Sequence, residues 1–193
     1  MERKNLYIIA GPNGAGKTTA SLNLLPQITD CHDFVNSDEI AKGLSPFHPE
    51  EVKLKAAKLM VKRINDLMDK EQSFSLETTL ASRSHVSTIK EAQERGYNCH
   101  LIFFYLPNPQ AAIARVEQRV SEGGHKVAPQ VIKRRFNTGL KNLFDLFLPI
   151  CDSWMIYDNS LNPRELVATG RKDGKTEIYN QTTYDQITAY VRA

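Results

Sequence analysis

The sequence predicts an α/β fold, a parallel β-sheet flanked by helices. Three observations carry that reading. Short apolar runs alternate with amphipathic stretches along most of the chain, the pattern of strand–helix–strand units. The run "NCHLIFFYL" at 98–106 is apolar almost throughout, as expected of a strand buried on both faces. The glycine-rich stretch "GPNGAGKTT" at 11–19 stands between a strand-like run and a helix-like one.

Each element can be justified in order. "NLYIIA" at 5–10 is a short buried strand, and a helix starts in the glycine stretch and stops before Pro26, since proline cannot continue it. "CHDFVNSD" at 31–38 is a second strand ending near Asn36. The clearest helix is "PEEVKLKAAKLMVKRINDLMDKE" at 49–71, with Pro49 in its first turn and Val52, Ala56, Leu59, Met60, Ile64 and Leu67 at helical spacing. "SFSLET" at 73–78 is a third strand, and "SHVSTIKEAQERG" at 84–96 is a helix closed by Gly96. After the fourth strand at 98–106, two helices follow at 109–124 and 128–149. Their apolar faces are Ile113, Val116 and Val120, then Ile132, Phe136, Leu140, Leu143 and Phe147. "SWMIYD" at 153–158 is a fifth strand, "ELVATGRKDGKTEIY" at 165–179 is a hairpin turning near Asp173 and Gly174, and a short helix ends the chain.

The composition narrows the function. At 193 residues and 41% hydrophobic, the chain suits one domain with a sizeable core. A net charge of +3 is too modest to announce a nucleic-acid or membrane binder. Cys31, Cys99 and Cys151 are odd in number, widely spaced and without metal-ligand spacing, which fits a reducing cytoplasm; their apolar neighbours predict buried thiols. "LYIIA" is too short for a signal peptide or a membrane span.

The glycine stretch fits G-x-x-x-x-G-K-[ST], from Gly11 through Gly16, Lys17 and Thr18. Gly11, Gly14 and Gly16 would let backbone N–H groups turn inward onto phosphates, and the following helix presents its N-terminal dipole to the anion. Lys17 can reach β- and γ-phosphates, and the Thr18 hydroxyl can bind Mg²⁺. An ordinary glycine turn is the plain alternative; the buried strand before and helix after favour nucleotide binding. The expected nucleotide site is therefore Gly11, Pro12, Asn13, Gly14, Ala15, Gly16, Lys17, Thr18 and Thr19.

Three other stretches bear on where the phosphate goes. In "NSDEIAKGLSP" at 36–46, Asp38 lies beyond the second strand, on the edge where ligands collect in open α/β sheets, and could accept a proton from an attacking hydroxyl. The even alternative is a helix N-cap by Ser37 or Asp38. In "LETTLAS" at 76–82, Glu77 ends the third strand and could hold a substrate hydroxyl or a Mg²⁺-bound water; the alternative is a solvated strand end with Thr78 or Thr79 capping the next helix. The third stretch is basic. It holds Arg115, Arg119, Lys126, Lys133, Arg134, Arg135 and Lys141 against Glu117 and Glu122, and Gly123–Gly124 break it into two helices. It reads either as a hinged lid over 115–141 whose arginines close on the γ-phosphate, or as a solvated basic face.

"GPNGAGKTT", "VNSDEIAKGLSP", "SLETTLAS", "RVEQRVSEGGHKVAP" and "IYDNS" occur in the order seen in the zeta-toxin-like P-loop kinases, and the chain resembles that family to about Ser160. The resemblance implies a P-loop NTPase sheet of five parallel strands in the order 2-3-1-4-5, with a C-terminal hairpin and a helical lid. It implies ATP as phosphate donor, Mg²⁺ as cofactor, UDP-N-acetylglucosamine as the small-molecule acceptor and an antitoxin protein as partner. Residue by residue, Lys17 and Thr18 match the loop lysine and the metal-binding hydroxyl. Asp38 matches the catalytic base, and Glu77 matches an acidic residue that contacts the sugar, with Ser37 and Thr78 beside them in the substrate site. Of the family's two lid arginines, the first matches Arg115 or Arg119. The second aligns with Lys126, and Arg134 or Arg135 follows one or two turns later; Arg119 and Arg134 are the expected catalytic pair. The chain lacks the longer insertions that line the sugar-nucleotide pocket of larger members. The alternatives are a nucleotide-dependent switch or ATPase acting on a protein partner, and a kinase of another small alcohol such as an antibiotic, a nucleoside or a plain sugar.

Overall fold

Seven strands form one sheet in the order β2-β3-β1-β4-β5-β6-β7. The computed structural model describes residues 4–22, 31–124, 126–160 and 162–192. The strands are β1 (Asn5–Ala10), β2 (Phe34–Val35), β3 (Phe74–Thr78), β4 (Asn98–Tyr105), β5 (Ser153–Asp158), β6 (Glu165–Arg171) and β7 (Thr176–Ile178). Helix α1 is described over residues 17–22. It is followed by α2 (Ser37–Leu44), α3 (Lys53–Asp69), α4 (Ser84–Glu94), α5 (Pro109–Ser121), α6 (Pro129–Asn142) and α7 (Gln181–Arg192).

The first five strands in that order are mutually parallel, as expected. β1 lies at the centre, with Leu6 level with Phe74 on one side and Cys99 on the other. Its burial explains why Leu6, Ile8, Ile9 and Ala10 are apolar without alternation. The hairpin does not stand apart. β6 pairs antiparallel with β5 and β7 with β6, so five expected strands become seven. The physical reason is that β5 would otherwise expose an unpaired edge. Gly170 makes this possible, since any side chain there would run into the indole of Trp154 across the strand pair. The turn falls at Gly174, with φ +86°, as the sequence indicated.

Local boundaries differ where polar side chains intervene. The second strand is only two residues, because Asn36 turns to cap α2. The long helix expected at 49–71 is a 3₁₀ turn at Pro49–Val52 followed by α3. The helix expected at 128–149 ends at Asn142 and continues as a wider π turn at Leu143–Phe147. The expected stop before Pro26 lies outside the described residues. Cys31, Cys99 and Cys151 are buried free thiols, and burial pushes Cys99 up to about 12. Among the described residues, no helix is long and apolar enough to cross a membrane.

Candidate active site

Because the central strands are parallel, their carboxyl ends meet on one edge, and the segments leaving β1, β2 and β3 all contribute to one cleft there. The cleft has a volume of about 570 Å³. Its lining joins Lys17 to Asn36, Ser37, Asp38, Glu77 and Thr78.

The loop after β1 has the backbone geometry that the glycine motif leads one to expect. Gly11 has φ +144°, and a side chain there would collide with the carbonyl oxygen of Phe104 on β4. Gly16 has φ +74°, and a Cβ would come within 2.9 Å of the Asn159 amide nitrogen. That amide donates to the Ala15 carbonyl at 2.8 Å, tying the loop to the segment after β5. The Asn13 side-chain oxygen is buried without a hydrogen-bond partner among the described residues.

Lys17 is buried at the start of α1. Its ammonium donates to the Pro12 carbonyl at 3.0 Å and stands 3.6 Å from a Glu77 oxygen. The other Glu77 oxygen accepts from the Thr18 hydroxyl at 2.7 Å. One carboxylate therefore bridges the two loop residues that the motif assigns to phosphate and metal. Burial pulls the Lys17 ammonium below its ordinary value; Glu77 and Asp38 oppose that fall, and the Arg119 charge adds to it. Arg119 thus acts electrostatically at the phosphate loop from the last turn of α5.

Asp38 is exposed on the cleft wall in the first turn of α2. It does not cap that helix, and neither does Ser37. Asn36 does, its side-chain oxygen accepting from Asp38 N at 2.8 Å and Glu39 N at 3.4 Å. The alternative role for Asp38 is therefore removed, and its carboxylate remains available in the cleft. Neither Thr78 nor Thr79 caps α4, which begins later at Ser84; the Thr78 hydroxyl accepts from Leu80 N at 3.0 Å within the loop.

The lid residues separate by position. Arg115 donates to the Ser160 carbonyl at 3.0 Å, which ties it to the β5 segment. Arg119 and Arg134 are exposed. Lys126 and Arg135 line the cleft, whereas Arg119 and Arg134 do not; Arg119 bears on the site through its charge at Lys17. Sequence reasoning missed the far wall: Lys53, Ala57, Met60 and Val61 of α3 face His85 at the start of α4. The i, i+4, i+8 recurrence of Lys53, Ala57 and Val61 was the available signal, hidden because Val61 lies off the stronger apolar stripe through Ala56, Met60 and Ile64 and Lys53 looks like a solvated charge.

Among the described residues no group of three or more His, Cys, Asp or Glu could hold a metal by itself. The Thr18 hydroxyl and Glu77 carboxylate fit Mg²⁺ differently, as hard oxygen donors beside a phosphate loop, since that ion usually keeps waters and shares phosphate oxygens.

The strand order, phosphate loop and cleft define the class of P-loop kinase-like α/β proteins. The chain belongs to the zeta toxin family, whose sequence model matches residues 1–183. An uncharacterized protein of Haemophilus influenzae is 29% identical over 145 residues, covering 70% of this chain and 100% of that one. The crystal structure of AvrRxo1-ORF1:-ORF2 with ATP is similar with a TM-score of 0.79 and 18% identity over 96% of this chain; the match spans 64% of that longer chain. A structure from the PezAT chromosomal toxin–antitoxin system of Streptococcus pneumoniae aligns with a TM-score of 0.65 and 15% identity, covering 100% of this chain and 86% of that one. At these identities the likeness to the solved structures is one of fold.

Proposed function

We propose that this protein is an ATP-dependent kinase that transfers the γ-phosphate to a hydroxyl of a small molecule, with UDP-N-acetylglucosamine as the leading acceptor. The observation that carries the reading is the shared cleft: Lys17, Asp38 and Glu77 line one cavity of about 570 Å³, within the size range of ligand pockets. The cleft runs from Lys17 out to α3 and the start of α4, where an acceptor has room to sit, and this favours transfer to an alcohol over a hydrolytic switch.

In this reading Lys17 leaves its contacts with Pro12 and Glu77 for the β- and γ-phosphates, and the loop backbone amides hold the remaining oxygens. Asp38 accepts the proton of the acceptor hydroxyl. The hydroxyl oxygen forms a bond to the γ-phosphorus as the bond to the β–γ bridging oxygen breaks, and ADP leaves. Mg²⁺, when bound, would neutralise charge on the β and γ oxygens, with Thr18 and Glu77 as the residues fit to hold it. Arg119 stabilises charge from α5. Arg135, with Lys126, supplies the second cation from the opposite side of the lid, a role the sequence had given to Arg134. An antitoxin protein is the partner we propose; membership of the zeta toxin family supports it, and the likeness to the pneumococcal structure is one of fold.

The test is incubation with γ-labelled ATP, with and without UDP-N-acetylglucosamine, followed by separation of labelled acceptor from free phosphate. Labelled sugar nucleotide supports the specific reading. Label on another alcohol from a panel of sugars, nucleosides and antibiotics keeps the kinase and corrects the acceptor. Label in free phosphate alone, whatever alcohol is added, refutes both.

A further inference from the structure

His85 occupies the second position of α4, on the cleft wall between the Glu77–Thr79 segment and the face of α3 that carries Lys53, Met60 and Val61. Its imidazole makes no hydrogen bond or ion pair with any described residue. The contrast is His100, whose two ring nitrogens are engaged by Ser153 at 2.7 Å and Asn5 at 3.2 Å. His85 is only partly buried, and its ring nitrogens are open to solvent on the cleft side, free to meet a bound molecule. Burial also pushes the His85 imidazole below its ordinary value, and a helix N-terminus disfavours a cation further. The ring is therefore neutral at pH 7, with one N–H donor and one bare nitrogen acceptor.

We propose that His85 is a specificity-determining residue for the phosphate acceptor, hydrogen-bonding a neutral polar group of it, a hydroxyl or an amide, distinct from the hydroxyl that Asp38 deprotonates. The inference rests on the kinase reading above and adds to it the chemistry of the acceptor's second contact. A neutral imidazole offers one donor and one acceptor, and hydroxyls and amides answer both. The acceptor class is thus a molecule with at least two polar groups, one attacking and one anchoring. Ala57, Met60 and Val61 opposite are apolar; beside His85 the lining also holds Ser82 and Ser84, whose hydroxyls bond each other at 2.9 Å, and the ring of His85 stays unengaged. A site built to hydrogen-bond a substrate rejects the analogue lacking that group, because its own polar atoms are then left unpaired.

The experiment uses the full chain with ATP and UDP-N-acetylglucosamine, or whichever alcohol of the panel the wild type phosphorylates. His85→Leu should raise KM for the acceptor about 10- to 100-fold, a loss of ~1.4–2.8 kcal/mol, with KM for ATP unchanged. His85→Asn, which keeps a donor and an acceptor, should recover part of that loss. Thermal melting separates binding from support: His85→Leu should melt within about 1–2 °C of the wild type, because the ring is only partly buried and makes no hydrogen bond with a described residue. An unchanged acceptor KM in His85→Leu overturns the proposal, as does a fall in melting temperature with ATP and acceptor parameters lost together. A wild type that phosphorylates no alcohol overturns the kinase reading itself and this inference with it.

Discussion

Replacing Glu77 by Gln removes one negative charge from a largely buried place while keeping the side chain's shape. The Glu77 carboxylate stands 3.6 Å from the Lys17 ammonium, whose side chain is 6% exposed. At an effective dielectric of about 20, that separation corresponds to an attraction of ~4.6 kcal/mol. Removing one partner of such a pair costs about 3–5 kcal/mol, because the other charge is left uncompensated. Asp38 still faces Lys17, which places the expected loss near the lower end, ~3 kcal/mol. For a chain of this size that is a fall of about 6–12 °C in melting temperature. The amide oxygen can still accept from Thr18, so the loss is one of charge. ATP brings its own negative charge to Lys17. The melting temperature of Glu77→Gln should therefore rise more on adding ATP without Mg²⁺ than that of the wild type. Differential scanning calorimetry with and without ATP reads both effects. A variant that melts with the wild type, or gains no more from ATP than the wild type does, refutes the reasoning about this pair.

Other outcomes follow from the same geometry. Arg119→Ala, whose charge is felt at Lys17, and Arg135→Ala, which lines the cleft, should each lower kcat by about 10²-fold with ATP affinity little changed, whereas Arg134→Ala, outside the cleft and without that charge on Lys17, should leave kcat near wild type; steady-state kinetics at saturating substrates distinguishes them. Gly11→Ala should cost at least about 2 kcal/mol, visible in urea unfolding, since it meets both a left-handed φ and the Phe104 carbonyl. Asn36→Ala should cost ~1 kcal/mol through the lost cap on α2, measured in the same way. The Cys99 thiol, held up to about 12 against about 8.5 in the unfolded chain, contributes stability that is present below pH 8.5 and lost as pH rises toward 12. A disulfide reagent at pH 8 should accordingly leave Cys99 unmodified until denaturant is added.

The parallel sheet was legible because its central strands are apolar without alternation, a pattern that burial on two faces imposes, and Leu6, Ile8 and Leu101 show it plainly. The phosphate loop was legible because its geometry needs glycine at Gly11 and Gly16, and little else tolerates those positions. What eluded the sequence were choices between neighbours of the same chemistry. Asn36, Ser37 and Asp38 can all cap a helix, and only the chain direction leaving β2 gives that task to Asn36. Arg134 and Arg135 differ by about 100° around α6, so their exposure depends on how that helix seats over the cleft. The Lys17–Glu77–Thr18 bridge joins residues about 60 apart through the pairing of β1 with β3, which places Ile9 level with Glu77. His85 and the face of α3 escaped notice because no motif marks them, and only the folded cleft brings them together.

The central claim is that Asp38 serves as the base for transfer to an alcohol, and one comparison tests it most directly. Wild type and Asp38→Asn should be assayed side by side for ATP affinity by calorimetry and for phosphomonoester formation by ³¹P nuclear magnetic resonance. The Asn36 cap on α2 leaves Asp38 with no capping role, and the amide is nearly isosteric, so folding and ATP affinity should be unchanged. Phosphomonoester formation should fall by about 10²- to 10⁴-fold. An Asp38→Asn variant that forms the phosphomonoester at the wild-type rate, with ATP bound equally well, would contradict the account.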